Sequence, residues 1–171
     1  MNMKKTILSE IDIYTGDVKL PEGVEINAES LRADILHYLS GNQFPFSKSN
    51  DILDTYIRDY FNLKNSKYLI KRETIGIQMR PNEYSLSLIE INPMDLNNST
   101  DYVMFYGVNI PKDGSFKIMF EYDDKRLKDK FYEISLKTNS YVIFPSTLVY
   151  RIEPNTSNSL NYIIKNTYES K

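Results

Sequence analysis

The chain has no cysteine and no tryptophan, a single histidine, His37, and six glycines scattered singly over 171 residues. Each scarcity closes a class of chemistry. Without cysteine there is no disulfide framework, thiolate zinc site, iron–sulfur cluster or cysteine nucleophile. One histidine cannot make a two-histidine metal site within one chain. Scattered glycines leave no phosphate-cradling loop, and there is neither a G-x-S-x-G elbow nor a serine–histidine pairing that His37 would serve. Long apolar runs are missing too: stretches such as Tyr102 to Val108 fall far short of the roughly 20 residues that cross a bilayer. Charge of one sign is also lacking, with 21 Lys and Arg interspersed among 23 Asp and Glu for a net charge of -2. Binding to nucleic acid by phosphate neutralisation is therefore not suggested. Met1 to Lys5 carry two lysines, but Ser9, Glu10 and Asp12 follow where a signal peptide needs its apolar stretch, so the expected location is cytoplasmic.

What is present is an ordinary globular composition, 41% apolar and 26% charged, at a length that suits one domain with a sizeable core. The expected division is an N-terminal extension and helical cover over 1–66 and a β-sandwich over 67–171. Leu31, Ile35, Tyr38 and Leu39 make a helical stripe over Asn27 to Leu39, with Asn27 as N-cap and Gly41 as stop. Ile52, Leu53, Tyr56, Ile57, Tyr60 and Phe61 predict a second helix over Ser49 to Phe61, capped by Ser49 or Asn50. Both helices should pack on one sheet. From Tyr68 the period becomes two, predicting strands near Thr74 to Arg80, Tyr84 to Ile91, Asp101 to Ile110, Ser115 to Tyr122, Lys130 to Leu136, Tyr141 to Phe144, Leu148 to Glu153 and Leu160 to Thr167. Pro111-Lys112-Asp113-Gly114 is the strongest hairpin signal, and Thr15-Gly16-Asp17, flanked by Ile11, Ile13, Val18 and Leu20, suggests a second. The fold class is mainly β (α+β), a jelly-roll sandwich with two N-terminal helices.

Chemistry-bearing residues are sparse. Asp123 and Asp124, followed by Lys125 and Arg126, read as a solvated turn; a weak divalent-cation site there needs oxygen ligands that local spacing does not supply. Asn98-Ser99-Thr100 and Asn155-Thr156-Ser157 match the glycosylation pattern, as an Asn-rich chain does by chance. His37 reads as a surface or boundary histidine. Fourteen tyrosines suit half-buried sheet positions and protein interfaces alike. An interface would gather Tyr56, Tyr60, Tyr102, Tyr106, Tyr122 and Tyr132 at one surface.

Residues 144–155, FPSTLVYRIEPN, form the most informative stretch. Phe144-Pro145-Ser146 makes a corner, Arg151-Ile152-Glu153-Pro154-Asn155 follows, and upstream Tyr106-Gly107-Val108-Asn109-Ile110-Pro111 leads to a Gly114 to Phe120 return strand. Over about 70 residues, from Asp101 to Thr167, this resembles the double-stranded β-helix of Fe(II)/2-oxoglutarate dependent oxygenases, particularly small phage and cyanobacterial members. The resemblance implies an iron-binding histidine where this chain has Tyr150. It implies an oxoglutarate-pairing arginine where the chain has Asn161, with Lys165 on the same face as a replacement. The region of the first histidine reads Asn92-Pro93-Met94-Asp95-Leu96-Asn97-Asn98, without one.

These departures lead to the expectation of no metal and no cofactor, with Tyr150, Arg151, Glu153, Asn161 and Lys165 as remnants of a site. The leading functional expectation is a non-catalytic jelly-roll module for protein contact, a phage virion or assembly component in the host cytoplasm or the particle. It would be a homo-oligomer or part of a larger assembly, without nucleic-acid or membrane partners. Two alternatives stand beside it: an oxygenase-like enzyme with an unusual ligand set such as Asp95, Glu153 and Tyr150, and a small-ligand-binding barrel. The N-terminal stretch Met1 to Val24 either adds to a neighbour's sheet edge or closes the protein's own sheet.

Overall fold

A computed structural model gives the fold and describes residues 10–122 and 131–171. Two helices precede most of the sheet: α1 (Ala28–Leu39) and α2 (Lys48–Asn65). The strands are β1 (Tyr14–Asp17), β2 (Leu69–Met79), β3 (Tyr102–Asn109), β4 (Lys117–Glu121), β5 (Phe131–Ser135), β6 (Ser140–Pro145), β7 (Val149–Ile152) and β8 (Asn161–Ser170). They make a five-stranded sheet in the order β1-β6-β3-β8-β2 and a three-stranded sheet in the order β5-β4-β7, with neighbouring strands antiparallel in both. This is the expected two-sheet jelly roll with helical cover.

The large sheet is buried on both faces, which is why β3 reads as a continuous apolar run instead of an alternation. Tyr102, Met104, Tyr106 and Val108 point to one core with Leu31, Ile35, Leu53 and Ile57 of the helices. Val103 and Phe105 point the other way, into a second core between the sheets with Phe116, Ile118 and Phe120. Helix α1 begins as expected, with the Asn27 side chain accepting from Ser30 N, 3.0 Å. Helix α2 begins at Ser47, two residues before the expected cap, because the Ser47 hydroxyl accepts from Asn50 N at 3.2 Å. Ser49 is instead spent on Asn27 N, 3.0 Å, which ties the starts of the two helices together.

Several expectations are corrected. The Pro111 to Gly114 turn forms, with Gly114 at φ 75°, but it joins β3 of the large sheet to β4 of the small one and so is a crossover instead of a hairpin. Thr15-Gly16-Asp17 lies within a strand, paired residue for residue with Val142, Tyr141 and Ser140 of β6. No turn is possible there. Gly16 instead leaves room for the end of the Tyr141 ring, which would have to shift for a Cβ placed 2.8 Å from its hydroxyl. The stretch Tyr84 to Ile91 is not a strand: Leu88 alone bridges to Tyr150, and the rest follows β7 through irregular bonds such as Ser85 N to Ile152 O, 3.0 Å, and Ile91 N to Ser146 O, 3.1 Å. The Asp123-Asp124 turn lies outside the described residues.

One buried carboxylate fastens the helical layer. Asp54 of α2, 3% exposed, accepts from the Tyr168 hydroxyl at 3.0 Å and from Arg58 Nε at 3.0 Å, with Lys71 Nζ at 3.5 Å. Removing one partner from such a buried group leaves the others uncompensated, at a cost of about 3–5 kcal/mol. Asp54→Ala is therefore expected to shift the urea midpoint by an amount worth about 3–5 kcal/mol; a midpoint within experimental error of the wild type would show that α2 is held by its apolar face alone.

Candidate functional site

Strand β7 alternates cleanly. Leu148, Tyr150 and Ile152 belong to the core between the sheets, while Val149 and Arg151 are half-buried on the other side. The Tyr150 ring is held edge-on by Phe105 and Phe144, with centroids 5.7 and 5.1 Å away. Across the barrel, β8 turns Lys165 to the same side as Ile163 by the two-residue period of a strand, and Lys165 is paired with Phe105 of β3. The third member comes from the irregular segment beside β7. Reciprocal bonds between Leu88 and Tyr150, 2.7 and 2.9 Å, place Glu90 so that one carboxylate oxygen, Oε1, receives both the Tyr150 hydroxyl and the Lys165 ammonium, each at 2.5 Å.

The trio is graded in depth. Tyr150 is 1% exposed, whereas the Lys165 and Glu90 side chains keep 13% and 19% of their surface. The ring is fully buried, and the ion pair keeps the small exposure that remains. Burial, and then the Glu90 carboxylate, push the Tyr150 hydroxyl far above its ordinary range, so it stays a neutral hydrogen-bond donor.

The other expected site residues are not brought to this place. Arg151 and Glu153 pair with each other at 2.7 Å, and Arg151 lies over the Phe131 ring, 5.0 Å from its centroid, away from the interior. Asn161 is buried in a reciprocal bond with Ser115, both contacts 3.2 Å. Asp95 is exposed and accepts from Asn98 at 2.8 Å. The ligand set of Asp95, Glu153 and Tyr150 therefore does not assemble, because each carboxylate is used locally. Glu90 was not singled out from sequence. It lies 60 residues from Tyr150 and 75 from Lys165, and no local spacing marks it.

Nor do the tyrosines form one surface. Tyr102 and Tyr106 are buried, 9% and 3% exposed, because β3 is covered on both faces. Tyr60 stacks on Tyr56 and lines a groove of about 360 Å³ with Tyr14 and Tyr141. Tyr122 and Tyr132 line a different cavity, of about 390 Å³, with Ile11 and Ile13.

Solved structures share this fold. The chain matches the non-heme alpha ketoglutarate dependent epimerase SnoN from nogalamycin biosynthesis with a TM-score of 0.65 at 9% identity, over 91% of this chain and 76% of that one. It matches AviO1 from Streptomyces viridochromogenes Tue57 with a TM-score of 0.65 at 11% identity, over 92% and 89% of the two chains. A Pseudomonas putida prolyl-4-hydroxylase gives 0.58 at 13% identity, over 92% and 84%. No protein-family profile and no curated protein matches the chain. Its structural neighbours are thus Fe(II)/2-oxoglutarate oxygenases, and at these identities the likeness shows the fold.

The residues here do not fit the iron of that fold. The usual set is two neutral imidazoles and a carboxylate. His37, the single histidine, is exposed on α1. Where ligands would converge, the carboxylate already carries an ammonium as its counter-ion, and the tyrosine is a phenol that resists losing its proton. Among the described residues no three His, Cys, Asp or Glu side chains converge.

Burial has a measurable consequence. Tyr106 and Tyr141 are pushed from the usual 10.0 to about 12 by desolvation, and burial raises Tyr150 and Tyr168 as well. A raised pKa in the folded state means that the stabilisation is complete below the unfolded value and is lost as pH rises through the folded one. Stability should therefore fall steeply from pH 10 upward, with phenolate absorbance and loss of circular dichroism rising together. Tyr150→Phe should make that fall shallower. Full phenolate absorbance with an unchanged dichroism spectrum would contradict the burial of these rings.

Proposed function

We propose that this chain is a metal-free small-ligand-binding barrel on the oxygenase fold, with Lys165, Glu90 and Tyr150 as the polar contacts to a small, uncharged organic molecule bearing a carbonyl or hydroxyl group. The observation that carries this reading is the seating of the Lys165 ammonium on Glu90, beside a barrel interior packed with aromatic and aliphatic side chains. The pair has no net charge, so it suits a dipolar ligand better than an anion. A carbonyl oxygen accepts from the ammonium or the phenol, a hydroxyl donates to Glu90, and the ligand's apolar body meets an apolar wall. Such a mixture of apolar lining and a few convergent polar groups is the common make-up of small-molecule sites. The shared fold supports a small-molecule role over a virion part, since the neighbours named above as an epimerase and a hydroxylase are enzymes.

A protein-contact role draws on a separate observation. Phe131 and Tyr132 are 46% and 54% exposed on β5, the outer strand of the small sheet among the described residues, where a neighbour's strand can add. Light scattering of the full chain at high concentration separates this reading from that of a monomeric binding protein.

The test of the main reading has two arms. Anaerobic incubation with Fe(II), then 2-oxoglutarate and oxygen, should give no stoichiometric iron and no succinate. Saturation-transfer NMR with small uncharged ketones, aldehydes and alcohols should detect binding that Lys165→Met weakens roughly tenfold or more, the loss of one buried charge-assisted hydrogen bond. Succinate formation, or ligand binding indifferent to Lys165, would overturn it.

A further inference from the structure

The geometry points to a second binding site, outside the barrel, for an uncharged flat heterocycle of the nucleobase type, with Asn50 as the side chain that reads its edge. The site is a cavity of about 330 Å³ walled by the loop between α1 and α2 and by β2, at the lower end of the size range of small-molecule pockets. It shares no residue with the Lys165 cluster and stands independently of it. Asn50 lines this cavity, is 3% exposed, and has no hydrogen-bond partner for its Oδ1. The helix start uses the Asn50 backbone, whose N donates to the Ser47 hydroxyl at 3.2 Å. A buried amide oxygen without a donor is destabilising, and protein interiors keep few of them. Asn166 Oδ1 is likewise unmatched, but its amide nitrogen donates to the Tyr168 hydroxyl at 2.9 Å within the core. Asn50 instead borders open space.

An asparagine amide carries an acceptor beside two donors, the complement of a ring edge with an N–H beside an acceptor. This is how asparagine pairs with N6 and N7 of adenine. Its last torsion is soft, so a half-turn brings either order of atoms to the wall. The rest of the wall suits a flat ring. Tyr38 and Phe44 lie with centroids 6.1 Å apart, and Phe46, on the loop, is 94% exposed at the cavity. An exposed aromatic ring is a stacking platform, and every base has a π-face to lay on it. The charges select against an anion: Lys71 is paired with Asp54 at 3.5 Å, Arg72 with Glu169, and exposed Glu73 adds a negative charge beside them. The register of β2 against β8 shifts between Lys71 and Glu73, in the same wall, and bulges recur beside functional sites because they re-aim side chains.

The test is ligand titration of the whole chain by saturation-transfer NMR. The probes are 9-methyladenine, which carries that edge, and 9-methylpurine, which has the same ring without the N–H. The first should bind roughly tenfold more tightly than the second, the usual discrimination of a bidentate asparagine contact. Adenosine should bind as well, and AMP no tighter than adenosine. Asn50→Leu removes the unmatched amide at similar volume, so it should keep or raise the melting temperature while reducing 9-methyladenine to the affinity of 9-methylpurine. Phe46→Ser alters an exposed ring, so the chain should stay folded by circular dichroism and bind both probes roughly fivefold more weakly or worse. Four results overturn the inference. They are no transfer to 9-methyladenine, which leaves the Asn50 amide to an ordered water; equal binding of the two probes; binding that Asn50→Leu leaves intact; and a clear gain in affinity from the phosphate of AMP. A melting temperature lowered by Asn50→Leu also counts against it, since the amide would then be matched within the fold.

Discussion

Strand β8 has to satisfy two environments at once, and most of the architecture follows from how its two-residue period does so. Its side chains Tyr162, Ile164 and Tyr168 enter the core beneath the helices, while Ile163 enters the core between the sheets. A slip of one residue would exchange the two sets. It would place Lys165 against the helices and Asn166 inside the barrel, and both polar networks would be lost together. The ten-residue length of β8 and its pairing on both edges, to β2 and to β3, hold that register.

The two networks use carboxylates for different ends. Asp54 lies outside the large sheet, 3% exposed, and its oxygens meet tyrosine, arginine, lysine and, at 3.4 Å, the Asn166 amide. Such a saturated group acts as a fastening. Glu90 is more open and presents a single shared oxygen to a lysine and a phenol. The contrast is one of burial and of partners: the first has its acceptors used from several sides in the core, the second keeps part of its surface exposed.

The likeness to iron oxygenases and the chemistry of this interior point in different directions, and charge reconciles them. A jelly roll brings β7, β8 and the segment beside β7 to one place whatever side chains they carry. In a metal site the carboxylate is balanced by a dication. Here the lysine of β8 supplies the balancing charge as part of the chain, and a phenol stands where the resemblance implies an imidazole.

Much of the local structure could be read from the residues. The Asn27 cap, the apolar stripe of α2 and the inward parity of Leu148, Tyr150 and Ile152 all depend on neighbours within a few positions, and so does the Phe144-Pro145-Ser146 corner. Lys165 was legible for the same reason, as a residue on one face of a strand. Sheet membership was not: Pro111 to Gly114 has the composition of a hairpin turn, but the turn's chemistry is the same whether the next strand pairs with the last or crosses to another sheet. Ser47 took the cap from Ser49 because Ser49 had a distant partner in Asn27. Glu90 was invisible because a side chain acquires its role there from residues 60 and 75 positions away. Short-range sterics and periodicity act along the chain and are written in it; the convergence of an acid, an amine and a phenol on one oxygen exists only after the sheets have closed.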